Sequence, residues 1–504
     1  MKNKIHSVLE SGSEAVIIDV ECALSNSLPN IIIVGLGNKS IDEAKERIRN
    51  SFNSSKIRMP RKKVTINMAP SDIPKEGSSY DLPMAVAILK AGEMITSDIP
   101  AKTVVMGELG LGGEIKPIRG LIGKVIAAKS LGYKHFIIPA SNISQANIVP
   151  GIYLHSSSNL RSLFESLNSR DPLLFQPSNG EVDLSTTKNI IPDDLPTFDD
   201  VVDQDQAKRA MIIAASGHHN ILLNGPPGSG KSMLAKAFVG ILPDLTKNEA
   251  LEITHIHSLV SKQYETIITK RPIRTPHHSS SHIAVIGGGP HPKPGEISLS
   301  HNGVLFLDEL PEFNKQVIEA LRQPLEDKTI TVARVKNSVR FPANFILVAT
   351  SNPCPCGYFG SRKECSCLAH NIVRYQQKVS GPIMDRIDIY VGVDEVKHDR
   401  LLKNDQSKKI NWQDIVRKAR DVQLLRSGKL NSDLSNKEIK KYCKLDETSE
   451  EFFNSAADKL ILSARSYMKI LKIARTIADI DSSEKIELPH LTEALQYRKK
   501  EISL

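Results

Sequence analysis

Apolar residues recur along this chain with three different rhythms. In SIDEAKERIRNSF, residues 40–52, they fall three and four apart behind an acidic first turn, the pattern of an amphipathic helix. VTINMAP at 64–70 and TVVMGEL at 103–109 are short apolar or alternating runs that predict strands, so the first 167 residues read as a mixed α+β domain. NSRDPLLFQPSNGEVDLSTTKNIIPDDLP, residues 168–196, is rich in Pro, Ser, Asn and Asp and holds no sustained period, which predicts a linker. Beyond it ILLN, GVLFL and NFILVAT are continuous apolar runs of the kind that become buried strands in an α/β domain, here placed at 197–394. After Asp394 helical spacing takes over, in WQDIVRKARDVQLLRSG and SARSYMKILKIARTIADI, and 395–504 is expected to be all-helical. The expected fold class is therefore a multidomain α/β protein without internal repeats.

The length of 504 residues suits three domains at roughly 150 residues each. Hydrophobic residues at 40% and charged ones at 24% match globular usage and exclude wholesale disorder. No apolar stretch approaches the roughly 20 residues of a membrane helix, and the start, MKNKIHSVLESGSE, lacks a signal-like apolar core, so a cytoplasmic protein without a membrane partner is expected. The net charge is +9, from 66 basic and 57 acidic residues, and it is uneven. Residues 1–170 carry 21 basic and 15 acidic groups, 171–400 carry 24 and 26, and 401–504 carry 21 and 16. Lys56, Arg58, Arg61, Lys62 and Lys63 follow one another with no acid between them, which suits either a phosphate backbone or a solvated loop.

ILLNGPPGSGKSMLAKAF places G-x-x-x-x-G-K-S between an apolar strand and a helical pattern, the context a phosphate-binding loop requires. Gly225, Pro226, Pro227, Gly228, Ser229 and Gly230 form the loop. Lys231 supplies charge to the β and γ phosphates of ATP, and the Ser232 hydroxyl is a ligand for Mg2+. GVLFLDEL ends a second strand in Asp308, a second metal ligand, and Glu309, which is placed to polarise water. NFILVATSNP ends a third in Ser351 and Asn352, where an amide orients attacking water. Arg386, in SGPIMDRIDIYV, is read as an arginine that reaches a neighbouring subunit's phosphoryl group, with a surface ion pair as its competing role.

Four of the six cysteines crowd into 354–367. Cys354 and Cys356 form one C-x-C and Cys365 and Cys367 a second; four soft ligands on a link with two glycines suit a structural zinc site, with free thiols and an iron–sulfur cluster as alternatives. Cys22 and Cys443 read as isolated core residues.

GPPGSGKS, VLFLDELPEF, ATSNPCPCGYFG and SGPIMDRID, in this order, resemble the ComM (YifB) family of magnesium-chelatase-like AAA+ ATPases, and the likeness extends over nearly the whole chain. It implies Walker A at 225–232, Walker B at Asp308 and Glu309, sensor 1 at Asn352, an arginine finger at Arg386 and sensor 2 at Arg465. It also implies a homo-hexameric motor that promotes branch migration of DNA joints during natural transformation, with single-stranded and branched DNA and recombination proteins as partners. The related motors carry two pore insertions, matched here by 255–299, which holds Arg271, Arg274, His277, His278 and Lys293, and by TITVARVKNSVRF, a hairpin with Arg334 on one arm and Lys336 at its tip. Arg274, Lys293, Arg334 and Lys336 are the expected DNA contacts. The runner-up function is a metal-chelatase-type motor that remodels a protein.

The N-terminal region resembles the proteolytic domain of Lon. PKEGSSYDLPM, residues 74–84, places Ser79 at the position of the catalytic serine, whereas in GEIKPIRGLIGK the position of the lysine partner holds Ile122. A serine without a base is a weak nucleophile, so no peptidase activity is expected; the fold is read as retained for a scaffold or a DNA-contacting collar, with Ser79 structural and Lys124 turned elsewhere.

Overall fold

The computed structural model describes residues 4–11, 14–35, 39–73, 75, 77–169, 171, 173–180, 196–260, 267–289, 292–332, 338–396 and 410–499. The chain forms two units, one of residues 1–188 with 247–268, the other of 189–246 with 269–504.

The first unit is built on an eight-stranded mixed sheet. Its order is Gln176–Pro177, Tyr153–Ser157, His135–Pro139, Thr103–Val105, Lys4–Ser11, Glu14–Ser25, Lys63–Ala69 and Asn30–Val34. Lys63–Ala69 alternates half-buried and buried positions, with Val64, Ile66 and Met68 facing the core, as a one-sided strand must. The helix Asp81–Ala91 is buried through Leu89, and the helix Lys39–Ser54 sends Ala44, Ile48 and Phe52 into the same core.

Three expectations change. The 103–109 run divides between Thr103–Val105 in the main sheet and Glu108–Leu109, which pairs with Ile115–Lys116. The predicted linker is in part structured, because Gln176–Pro177 pairs with Tyr153 and Leu154; a proline is tolerated there because the strand lies at the sheet edge. Residues 181–195 lie outside the described residues. The helix Lys247–Ser258, inside the span expected for the ATPase core, belongs to the first unit, where it packs on Leu121–Ser130 and where Thr254 Oγ1 accepts the Ile268 N–H at 3.0 Å.

The second unit holds a five-stranded parallel sheet, in the order Ile273–Arg274, Val304–Leu307, Ile346–Ser351, Ile221–Asn224 and Ile389–Gly392. Val304–Leu307 is buried at every position, as the continuous apolar run requires of a strand covered on both faces. The C-terminal helices are present, but they share the sheet's core: Val416, Ile470, Ile473, Ile477 and Leu491 belong to one cluster with Ile221, Leu223, Phe306 and Val348. A buried charge network fixes them. Asp479 accepts from Arg426 at 2.6 and 2.8 Å and from Arg475 at 3.0 Å. Removing one partner from such a network costs about 3–5 kcal/mol. Among the described residues, no helix is long and apolar enough to cross a membrane.

Candidate active site

The strand Ile221–Asn224 opens into the loop 225–230, which turns on Gly228 at φ +78 and Gly230 at φ +90 before the helix Lys231–Ala237 begins. Gly225 is required for another reason, since a Cβ there would stand 2.1 Å from the Val393 carbonyl oxygen. Lys231 is buried and folds back over the loop: its Nζ donates to the carbonyls of Gly225 at 2.7 Å and Pro226 at 2.8 Å, and to Asn352 Oδ1 at 3.3 Å. Burial pushes its pKa down, and the charges of Asp308 and Glu309 work against that.

The two acids stand where Val304–Leu307 ends. Ser232 Oγ donates to Asp308 Oδ2 at 3.0 Å, and Thr350 Oγ1 donates to Asp308 Oδ1 at 2.6 Å while accepting the Glu309 N–H at 2.8 Å. Asn352 Nδ2 donates to Glu309 Oε1 at 3.3 Å, so this one amide touches both Lys231 and Glu309. Glu309 is held in the left-handed region, φ +56, at a cost of about 1–2 kcal/mol for a residue with a Cβ. Ser232 and Asp308 offer adjacent hard oxygens, the donor set Mg2+ prefers. A cavity of about 770 Å3 opens at this edge of the sheet, lined by Asn224, Asn352, Tyr375 and Asp394 among others.

The sequence reading missed two contributors. Thr350 was hidden as the penultimate polar residue of an apolar strand. Gln204, with Asp203 beside it in the left-handed region, donates through Nε2 to the carbonyls of Ser229 at 3.4 Å and Asp394 at 2.6 Å.

Arg386 lies elsewhere on the same sheet. Asn220, just before the phosphate-loop strand, donates through its amide to the Arg386 carbonyl at 3.0 Å, and its own carbonyl accepts from Asp388 at 2.9 Å. Arg386 therefore sits at the amino ends of the strands and Lys231 beyond their carboxyl ends. Four residues at about 3.3 Å each put roughly 13 Å of strand between them. Arg465 is in the same place: Glu326 Oε1 is paired with Arg386 and accepts from Arg465 Nη2 at 3.1 Å. The Arg386 and Arg465 guanidinia hold the Glu326 carboxyl below its usual range. The arginines border a cavity of about 500 Å3 that Lys328, Lys469 and Lys472 also line, against Asp388 and Asp433.

The four thiols of Cys354, Cys356, Cys365 and Cys367 lie within 4.8 Å of one another, with Cys354–Cys356 at 3.3 Å, Cys356–Cys365 at 3.5 Å and Cys354–Cys365 at 3.7 Å. Tetrahedral thiolates at 2.3 Å from zinc stand about 3.8 Å apart, so the set fits Zn2+. The Tyr358 backbone N–H draws the Cys356 thiol down to about 6, whereas burial and the neighbouring Cys354 and Cys356 thiols push Cys365 up to about 12 and Cys367 upward, so the cluster without a metal favours one thiolate among protonated neighbours. Cys22 and Cys443 are buried singly.

The expected DNA contacts fare differently. The strands Thr329–Val332 and Val339–Pro342 pair antiparallel as the arms of the predicted hairpin, while Arg334 and Lys336 lie outside the described residues. Arg274 is paired within the chain, donating to Glu296 through Nε at 2.5 Å and Nη2 at 2.6 Å. Arg271 bonds the carbonyls of Pro243 and Asn302. His277 and His278 pack on each other at 4.1 Å, and Lys293 is exposed on a short ribbon with Gly288.

In the first unit one expectation is overturned. Lys124 does not turn away from Ser79: its Nζ lies 3.5 Å from Ser79 Oγ. The helix Leu121–Ser130 buries Ile122, and a lysine two positions along is long enough to come back over the serine.

A phosphate loop, two acids and a polar amide at the carboxyl edge of a parallel sheet define a P-loop protein of the AAA+ class. Three descriptions match in order along the chain: "Subunit ChlI of Mg-chelatase" over 20–142, "Magnesium chelatase, subunit ChlI" over 197–401, and "Magnesium chelatase, subunit ChlI C-terminal" over 405–498. Competence protein ComM of Haemophilus influenzae is 39% identical over 498 residues, 98% of this chain and 97% of its own. The uncharacterized protein YifB of Escherichia coli K12 is 38% identical over 499 residues, 98% and 96% of the two chains. The magnesium-chelatase 38 kDa subunit of Cereibacter sphaeroides is 25% identical over 174 residues, 31% of this chain and 52% of that one. The chain belongs to the ComM/YifB family of magnesium-chelatase-like AAA+ proteins.

Proposed function

We propose that this protein is a hexameric, ATP-dependent DNA motor that promotes branch migration of DNA joints, as in the integration of single strands during natural transformation. The observation that carries the motor is the convergence of Lys231, Ser232, Asp308, Thr350 and Asn352 at one sheet edge while Arg386 and Arg465 stand at the other. In this reading Lys231 swings from its loop carbonyls to the β and γ phosphates of ATP and Glu309 polarises water that Asn352 orients, while Ser232 and Asp308 would hold Mg2+, which would supply positive charge against the phosphates. Arg386 and Arg465 cannot serve the site of their own chain across the strand length, so they serve the next subunit's. Zn2+ on the four cysteines is a structural brace behind Asn352, and the first unit keeps a Lon-protease-like fold as a scaffold, in a cytoplasmic protein.

The DNA substrate rests on the full-length likeness to a protein named for competence. A chelatase-type motor acting on a protein partner has the partial likeness to the magnesium-chelatase subunit in its favour, over only 31% of this chain. The experiment is ATP turnover with and without branched DNA, together with junction migration, by the wild type and Lys231→Ala. DNA-stimulated turnover and migration, both lost in the variant, are expected; turnover indifferent to DNA would favour the protein-remodelling reading.

A further inference from the structure

The connection between the helix Lys39–Ser54 and the strand Lys63–Ala69 carries Lys56, Arg58, Arg61, Lys62 and Lys63. The first four are exposed and Lys63 is half-buried. Among the described residues none of the five has a carboxylate partner. The chain treats neighbouring arginines otherwise: Arg47 is held by the buried Asp81 at 2.7 Å, Arg49 by Glu46 at 2.8 Å, and Arg161 by Glu165 at 2.5 Å. Five like charges left unpaired raise the local positive potential and repel one another, an arrangement relieved by a partner of opposite sign.

The backbone beneath these side chains is fixed. Ser55 and Ile57 donate to the carbonyls of Ser51 and Phe52 at 2.9 Å, Lys56 turns the chain at φ +55, and the Ile57 side chain is buried in the core. At the far end Lys63 enters a strand paired on both sides, with Ser25 and with Asn30. The cations are therefore presented from a rigid support, and little ordering is needed to use them.

The chemistry of the segment selects the partner. Protein surfaces carry both signs, whereas a nucleic-acid backbone repeats one charge, and an unbroken basic run complements the second. No aromatic residue lies between Asn53 and Lys63, so the segment has nothing on which a base could stack. We infer that residues 56–63 form a DNA-backbone contact on the first unit that reads phosphates and is indifferent to base sequence. This rests on the proposal that DNA is the substrate.

The test is the full-length chain with Lys56→Gln, Arg58→Gln, Arg61→Gln and Lys62→Gln combined, titrated against a fluorescent single-stranded oligonucleotide over a range of salt. Because each phosphate contact contributes about 0.7 to the slope of log affinity against log salt, loss of two to four contacts makes the slope shallower by roughly 1.4–2.8. Affinity at low salt falls at least about tenfold, equally for unrelated sequences, and turnover without DNA is unchanged. A second variant, Arg58→Lys with Arg61→Lys, keeps the wild-type slope because a point charge suffices. An unaltered slope in the quadruple variant, with the wild type binding DNA, overturns the contact and leaves the motor reading standing. A wild type that binds no DNA overturns the motor reading and this contact with it.

Discussion

Gly357 of the cysteine knuckle lies against Pro227 of the phosphate loop so closely that a Cβ on Gly357 would stand 2.6 Å from the proline Cδ. Gly357 is also at φ +85, where a side chain adds about 1–2 kcal/mol of strain. The knuckle thus presses on the loop that holds Lys231, and Gly357→Ala must distort one or the other. Turnover is predicted to fall by roughly tenfold, the equivalent of about 1.4 kcal/mol at the barrier, with a lowered melting temperature. Steady-state ATPase and thermal melts check both.

If the four thiols hold zinc, the purified protein carries one equivalent per chain, and Cys356→Ser or a strong chelator releases it. Metal analysis reads the stoichiometry, and turnover measured in parallel should drop, since the knuckle follows directly on Asn352 and touches Pro227. Full retention of turnover in the metal-free protein would separate the knuckle from the site.

Thr350 both donates to Asp308 and accepts from Glu309. Thr350→Val keeps the shape and removes the hydroxyl, leaving one Asp308 carboxylate oxygen and the Glu309 N–H without that partner. Hydrogen bonds to charged groups contribute about 1.5–3 kcal/mol, so kcat is predicted to fall by roughly 10–150-fold. Thr350→Ser, which restores the hydroxyl, should recover most of the loss.

Arg386 and Arg465 share one carboxylate, and Glu326 is far more exposed than Arg386, at 46% against 11%. If the two arginines serve a neighbouring subunit as proposed, Glu326 occupies the guanidinia that its phosphate would take and competes with it. Removing an exposed pair worth about 0.2–1 kcal/mol lowers the protein concentration for half-maximal ATPase by roughly 1.5–5-fold in Glu326→Gln, with kcat unchanged. A fall in kcat at saturating protein would show instead that Glu326 positions the arginines for catalysis.

The phosphate loop, the acids and Asn352 were legible in the sequence because each follows a continuous apolar run, and such runs become buried parallel strands whose carboxyl ends meet at one edge. Contacts decided by side-chain reach were not legible. Lys124 returns to Ser79 although its position along the helix Leu121–Ser130 differs from that of the expected partner. Gln176–Pro177 joins a sheet although its composition reads as linker, because an edge position asks little of a strand. The pairing of Arg386 with Arg465 joins segments 79 residues apart through Glu326, which no local pattern marks.

The central claim is that each ATP site is completed by the neighbouring subunit, and complementation tests it most directly. Lys231→Ala lacks a working phosphate loop and keeps its arginines; Arg386→Ala has the reverse defect. Each variant alone is predicted to be inactive in ATP turnover, and mixing the two should restore a measurable fraction, because loops from one meet arginines from the other. Turnover by Arg386→Ala alone, or a mixture as inactive as its parts under conditions where mixed assemblies form, would contradict the account.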